Sequence, residues 1–235
     1  MKNLFIFAAV TLILIGATVR PTTSQIVNGS FESGLQDPGT MWITYDSSSN
    51  FIDGWSVDFG SVDYIGNWWQ ASDGVRSIDM TGSGAGQISQ TVPTIPGVTY
   101  VVAFDMSGNT GCLPAVKLMT VTADGGQAQT FSYDTTATGN TQADMKWETK
   151  QYTFTATGAT TSLAFTSDVP GFCGPTLDNV ELMVVPEVPE VPEAPEVGIC
   201  HRNLGKNGQK TLMVSPSAIP AHLKHGDTLG PCVAE

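Results

Sequence analysis

Trp55-Ser56-Val57-Asp58-Phe59 alternates apolar and polar side chains. That period of two belongs to a strand with one face turned into a core. The same alternation returns at residues 87–92, 99–106, 117–122, 151–155, 162–166 and 177–184. Turn formers part these runs: Thr81-Gly82-Ser83-Gly84, Ile95-Pro96-Gly97, Ser107-Gly108-Asn109, Asp124-Gly125-Gly126 and Val169-Pro170-Gly171. About eight or nine short strands at this spacing predict an all-β antiparallel sandwich over residues 25–185. No stretch there carries convincing helical periodicity, so little helix is expected.

The flanks read differently. Lys2 precedes an almost unbroken apolar run, Leu4 to Ile15, and Thr22-Thr23-Ser24 follows. This is the pattern of a secretory signal over residues 1–24. The run is shorter than the roughly 20 apolar residues of a membrane span; an uncleaved anchor or a buried strand is the alternative. No later segment is apolar enough to cross a bilayer, so no membrane span is expected once the signal is removed. On the other side, Pro186-Glu187-Val188-Pro189-Glu190-Val191-Pro192-Glu193-Ala194-Pro195-Glu196 opens a Pro/Glu linker over residues 186–198. Proline at nearly every third position favours extended polyproline II, and the glutamates repel one another. At about 3.1 Å per residue such a spacer reaches roughly 34 Å. Residues 199–235 form a small Cys/His module.

The formal charge is −12, and only 14% of residues are charged. Without Lys2 and Arg20, eight of the ten basic residues remain against 22 acidic ones. An acidic surface repels phosphate, so nucleic acid is excluded as a partner. Four cysteines divide as Cys112 and Cys173 in the long unit, Cys200 and Cys232 in the short one. In an oxidising compartment one disulfide per unit is the simplest pairing, although three connectivities are possible. Chain entropy credits each bridge with roughly 4 kcal/mol.

Several local patterns occur in a fixed order. They include Asn28-Gly29-Ser30-Phe31-Glu32, Gly54-Trp55, Val62-Asp63-Tyr64-Ile65, Gly74-Val75-Arg76-Ser77-Ile78-Asp79-Met80, Gly86-Gln87-Ile88-Ser89-Gln90-Thr91 and Cys173-Gly174-Pro175-Thr176-Leu177-Asp178-Asn179-Val180. Residues 25–185 thereby resemble the DUF642 family of cell-wall proteins and its bacterial relatives, the "choice-of-anchor C" secreted proteins. The resemblance implies a galactose-binding-like jelly-roll β-sandwich and a role in carbohydrate or cell-wall association. It also suggests a Cys112–Cys173 bridge. In a jelly roll the first and last strands can lie side by side, which would bring Glu32 and Asp178 together as hard oxygen ligands for a structural calcium ion. The alternative is that both carboxylates only cap turns.

Tyr64, Trp68 and Trp69, with Asn67, Gln70 and Arg76 beside them, form the candidate ligand-binding set. An indole stacks on the C–H face of a sugar while amides and charges bond its hydroxyls. Adjacent tryptophans on a strand point to opposite faces, so one can belong to the core; on a loop both could face outward. Trp42 and Tyr45 could extend the same surface, whereas Trp55 and Trp147 are assigned to the core. For Arg76 a structural ion pair competes with ligand binding. Asp58, Asp63, Asp73 and Asp79 are the carboxylates a glycosidase could use. No histidine precedes His201, which excludes a Ser-His-Asp triad in the long unit.

All three histidines lie in the terminal module: His201 beside Cys200, then His222 and His225. One helical turn, with Ser217 as a cap, would align His222 and His225. A transition-metal site using His201, His222 and His225 competes with a Cys200–Cys232 disulfide and solvated histidines, and the disulfide without a transition metal is the expected outcome. The module resembles short C-terminal segments with Cys-His, Pro-Ala-His-Leu and Gly-Pro-Cys elements that recur in secreted bacterial proteins. The sequence thus points to a secreted, extracellular or cell-surface protein that binds polysaccharide or cell-surface glycan without catalysis. A structural or adhesive surface protein lacking sugar specificity, or a polysaccharide hydrolase, are the alternatives.

Overall fold

The computed structural model describes residues 26–47, 49–124, 126–185, 194–203 and 208–233. The expected signal, residues 1–24, and most of the expected linker lie outside the described residues. The chain divides into two compact units, Met1–Pro186 and Glu187–Glu235.

Among the described residues, eleven strands build the first unit: β1 Trp42–Asp46, β2 Ser56–Phe59, β3 Ser61–Ile65, β4 Ser77–Asp79, β5 Gln87–Pro93, β6 Thr99–Gly108, β7 Val116–Ala123, β8 Gln129–Asp134, β9 Glu148–Thr155, β10 Thr160–Ser167 and β11 Pro175–Val184. They form two antiparallel sheets, ordered β1-β3-β4-β11-β6-β9 and β2-β5-β10-β7-β8. From β5 onward the chain crosses repeatedly between the layers, giving a jelly-roll β-sandwich. The seven alternating runs all fall on strands. The further strands include β3 and β4, whose residues are largely buried on both faces. A strand covered on both sides loses the alternation by which it would be recognised. The helix α1, Thr135–Thr138, is a single turn capped by Asp134.

The core is what the inward parity of each strand supplies. Ile88, Gln90 and Val92 of β5, and Tyr152 and Phe154 of β9, are buried while their neighbours are more open. Phe104 sits between Phe131 and Phe165, at centroid distances of 5.1 and 5.2 Å, and sends its edge or face to each. The N-terminal segment runs along β11: Val180 donates its N–H to Gly29 O. A Cβ on Gly29 would lie 2.0 Å from Val180 O, so only glycine allows this approach.

In the second unit β12, Val197–Asn203, pairs with β13, Gly208–Val214, and with β14, Thr228–Leu229. A 3₁₀ turn at Pro216–Ala218 leads into α2, Ile219–Lys224. Ser217 lies within that turn rather than capping α2, whose N-cap is Ala218.

Each unit has its own disulfide, Cys112–Cys173 and Cys200–Cys232. The first spans 61 residues. Replacing both its cysteines by serine should lower unfolding free energy by about 2–4 kcal/mol. Urea denaturation checks this, and an unchanged midpoint would contradict it.

Candidate functional site

The outer face of the six-stranded sheet is polar where its strands meet in register. Thr44 opposes Asp63, Asp63 opposes Asp79, Asp79 opposes Thr176, and Thr176 opposes Ser107. Above this row lies a cleft of about 350 Å³. Its lining includes Trp42, Asp63, Trp68, Asn109, Gln142 and Phe172. Trp42 and Trp68 meet edge-to-face at 5.1 Å and remain 40% and 37% exposed. Phe172 is 68% exposed.

The floor is rigid. Asp79 has no exposed surface. Its Oδ1 accepts from the N–H groups of Thr81 and Gly174, both at 3.0 Å, and its Oδ2 from Asn109 Nδ2 at 2.7 Å. Burial outweighs these three donors and pushes its carboxyl up to about 7. Burial also raises Asp63, which accepts from Thr44 Oγ1 at 2.6 Å.

The wall carrying Asn109 and Phe172 belongs to two loops joined by Cys112–Cys173. Lys117, buried on β7, donates from Nζ to Cys112 O at 2.9 Å and to Cys173 O at 2.7 Å. Desolvation lowers its pKa, and the charge of Asp79 acts against that shift. The two loops are therefore tied by a covalent bond, a buried ammonium and the amides on Asp79.

Of the six sequence-predicted residues, Asn67, Trp68, Trp69 and Gln70 line one pocket of about 500 Å³, whereas Tyr64 and Arg76 do not join it. Trp68 is exposed as a sugar platform requires. Trp69, 4% exposed, packs against Ile65, Met145 and Trp147 and donates from Nε1 to Ser77 Oγ at 2.8 Å. Both come from one turn and both line the cleft, Trp68 with an exposed indole and Trp69 with a packed one. Tyr64 is a correction: it is fully buried, and its hydroxyl donates to Phe31 O at 2.7 Å. Tyr45 is likewise buried at 3%. Trp55 lies in the core as expected, whereas Trp147 is half-buried and donates from Nε1 to Gln70 O.

Arg76 serves the fold rather than the cleft. Its guanidinium donates to Glu32 O at 2.6 Å and to Tyr64 Oη at 3.0 Å, and pairs with Asp37 at 3.2 Å. Gln70 joins two loops, accepting from Met145 N at Oε1. Asn67 is exposed and donates its backbone N–H to Gly39 O. Among the candidate carboxylates, Asp63 and Asp79 are cross-strand neighbours. Asp58 instead accepts from Ser89 on the other sheet, and Asp73 sits on an exposed loop. Sequence reasoning missed Asn109, Gln142, Phe172 and Lys117. For Lys117 the signal was there: it shares the inward parity of Met119 and Val121.

Glu32 and Asp178 bracket one loop, residues 72–76. Asp178 Oδ2 accepts from Ser72 N at 2.8 Å and Asp73 N at 3.1 Å. Glu32 Oε1 accepts from Val75 N at 2.8 Å and Arg76 N at 2.7 Å. Gly74, at φ +70°, lets the backbone turn tightly beneath Glu32; a Cβ there would lie 2.5 Å from the carboxyl carbon. Burial pushes Asp178 up to about 7.

In the second unit the Cys200–Cys232 bridge removes both thiolates from metal binding. His225 is the exposed C-cap of α2 and does not join the other two histidines. Instead Asp227, absent from the sequence-derived set, lies between His201 and His222, with each Nδ1 2.8 Å from Asp227 Oδ2.

The model of the DUF642 family, described as "Protein of unknown function (DUF642)", matches residues 24–183. Halomucin of Haloquadratum walsbyi is 30% identical over 174 residues, which cover 72% of this chain but 2% of that protein. Among solved structures, TmCBM61 in complex with beta-1,4-galactotriose aligns with a TM-score of 0.41 at 16% identity, covering 69% of this chain and 99% of that one. A family 16 carbohydrate-binding module aligns at 0.43 and 18%, covering 67% and 98%. A family 35 module from Clostridium thermocellum aligns at 0.39 and 14%, covering 69% and 97%. The chain belongs to the DUF642 family.

The raised carboxyl of Asp79 sets a pH dependence. An unfolded aspartate titrates near 3.9. A group raised in the folded state contributes stability that is fully present below that value and is lost as pH rises through about 7. Asparagine does not titrate. The Tm of the wild type minus that of Asp79→Asn should therefore fall between about pH 4 and pH 7.5. A difference independent of pH would contradict the account.

Proposed function

We propose that this DUF642 protein binds a neutral glycan outside the cell, in the cleft rimmed by Trp42, Trp68 and Phe172, and does not cleave it. The observation that carries this reading is the exposed Trp42–Trp68 pair standing over a polar floor. A saccharide has the complementary surface, apolar C–H faces edged by hydroxyls. Asn109 and Gln142 line the cleft as amides, and Asp63 supplies an acceptor. The chain's charge of −12 disfavours polyanions, which makes neutral polysaccharide the better partner.

The floor also argues against hydrolysis. That reaction needs two carboxylates that both reach the scissile bond. Asp79 has no exposed surface and is held by three donors, so Asp63 stands without an accessible partner. The two disulfides suit an oxidising, extracellular setting. Among the described residues no helix is long and apolar enough to cross a membrane.

Calcium completes the reading. Glu32 and Asp178 would hold it, and their chemistry fits: both are anionic oxygen donors at the same loop. Glu32 Oε2 accepts no hydrogen bond from the described residues. Asp178 is a buried carboxylate whose desolvation a divalent cation would relieve. Bound there, the ion would pin residues 72–76 to β11.

Two measurements test this. On a glycan array followed by calorimetry with a bound glycan, Trp68→Ala and Trp42→Ala should each weaken binding about tenfold or more, some 1.4 kcal/mol. Wild-type affinity in both variants would remove the cleft from the site. Calcium added to chelator-treated protein at a hundredfold excess over its Kd should stabilise the fold by about 2.7 kcal/mol. That corresponds to roughly 5–10 °C in Tm. Asp178→Asn should lose the gain, and an equal gain in that variant would place calcium elsewhere.

A further inference from the structure

The glycan reading leaves the second unit unused, and that unit contains a convergent donor set. His201 comes from β12, His222 from α2, and Asp227 from the turn before β14. The two imidazole rings stand perpendicular, 6.0 Å apart between centroids. Both Nδ1 atoms approach one oxygen, Asp227 Oδ2, at 2.8 Å, while Oδ1 accepts from Arg202 N at 3.0 Å. We propose that His201, His222 and Asp227 hold one first-row divalent cation of the zinc class.

Three observations support the assignment. The Asp227 side chain is fully buried, whereas His201 and His222 are 39% and 26% exposed. Among the described residues the two imidazoles are its only ionic partners. A buried carboxylate needs countercharge, which a divalent cation held between the three side chains would supply. Next, the unit has almost no core. Among its described residues only Ile199, Cys200 and Asp227 are buried. Units this small commonly depend on disulfides and metals, and the Cys200–Cys232 bridge sits directly beside His201. Finally, the donor chemistry is suitable. Imidazole nitrogen and carboxylate oxygen bind zinc at about 2.0–2.2 Å, and bonds of that length bridge atoms 2.8 Å apart. With three protein ligands and partly open histidines, one coordination position would face solvent.

The test uses the full chain, stripped with a chelator, with its disulfides intact, and titrated with zinc and with cobalt chloride. The wild type should bind one more equivalent of zinc than His222→Ala or Asp227→Asn, or bind it at least about tenfold more tightly. His225→Ala should match the wild type. Cobalt should give the wild type a visible d–d band that Asp227→Asn lacks, and this readout stands even if one variant folds poorly. Equal zinc uptake by wild type and His222→Ala, or no cobalt band in the wild type, would overturn the site. The trio would then be a hydrogen-bonded latch only.

Discussion

A lysine inside the sandwich is the constraint on which the cleft depends. Lys117 occupies an inward position of β7, where the strand otherwise supplies Met119, Val121 and Ala123. An ammonium there is costly unless its donors are used. Two of them are used on the carbonyls of Cys112 and Cys173, at the two ends of the disulfide. Asp79 provides opposite charge and takes the amides of Thr81, Gly174 and Asn109. The loops that make one wall of the cleft are consequently fixed to the sheet that makes its floor. Removing one member would leave the others buried and unpaired, a larger loss than any single bond implies.

This arrangement explains how loops with little regular structure can present a shaped surface. Phe172 lies next to Cys173, and Asn109 is held by Asp79, so both inherit the rigidity of the knot. On the opposite wall, Trp69 packs beneath the turn that carries Trp68. One indole anchors the turn and its neighbour is displayed. Binding surfaces gain when the groups that touch the ligand are positioned before it arrives. Glu32, Asp178 and Arg76 do comparable work at residues 72–76, where each holds chain segments distant in sequence.

Much of the sandwich was legible because alternation reports a half-buried strand directly. The 99–106 and 177–184 runs fall on β6 and β11, which pair at the centre of their sheet. The site was less legible, because it is assembled from loops whose approach no local pattern encodes. Trp42 and Trp68 are 26 positions apart and meet only after β1 pairs with β3. Tyr64 was misplaced although parity could have corrected it: Asp63 faces outward, so its neighbour must face in. The terminal unit shows the same limit. The three-residue spacing of His222 and His225 suggested a pair, but α2 ends at Lys224, and Asp227 takes the place beside His222.

The central claim is that the two exposed indoles, and not the three packed ones, meet the glycan. The chain has five tryptophans, each with one indole N–H signal in a nitrogen–proton correlation spectrum. Titrating a neutral oligosaccharide into labelled protein reads all five at once. The account predicts that the Trp42 and Trp68 signals shift together while those of Trp55, Trp69 and Trp147 stay in place. Shifts confined to the packed three, or binding that moves none of the five, would contradict it.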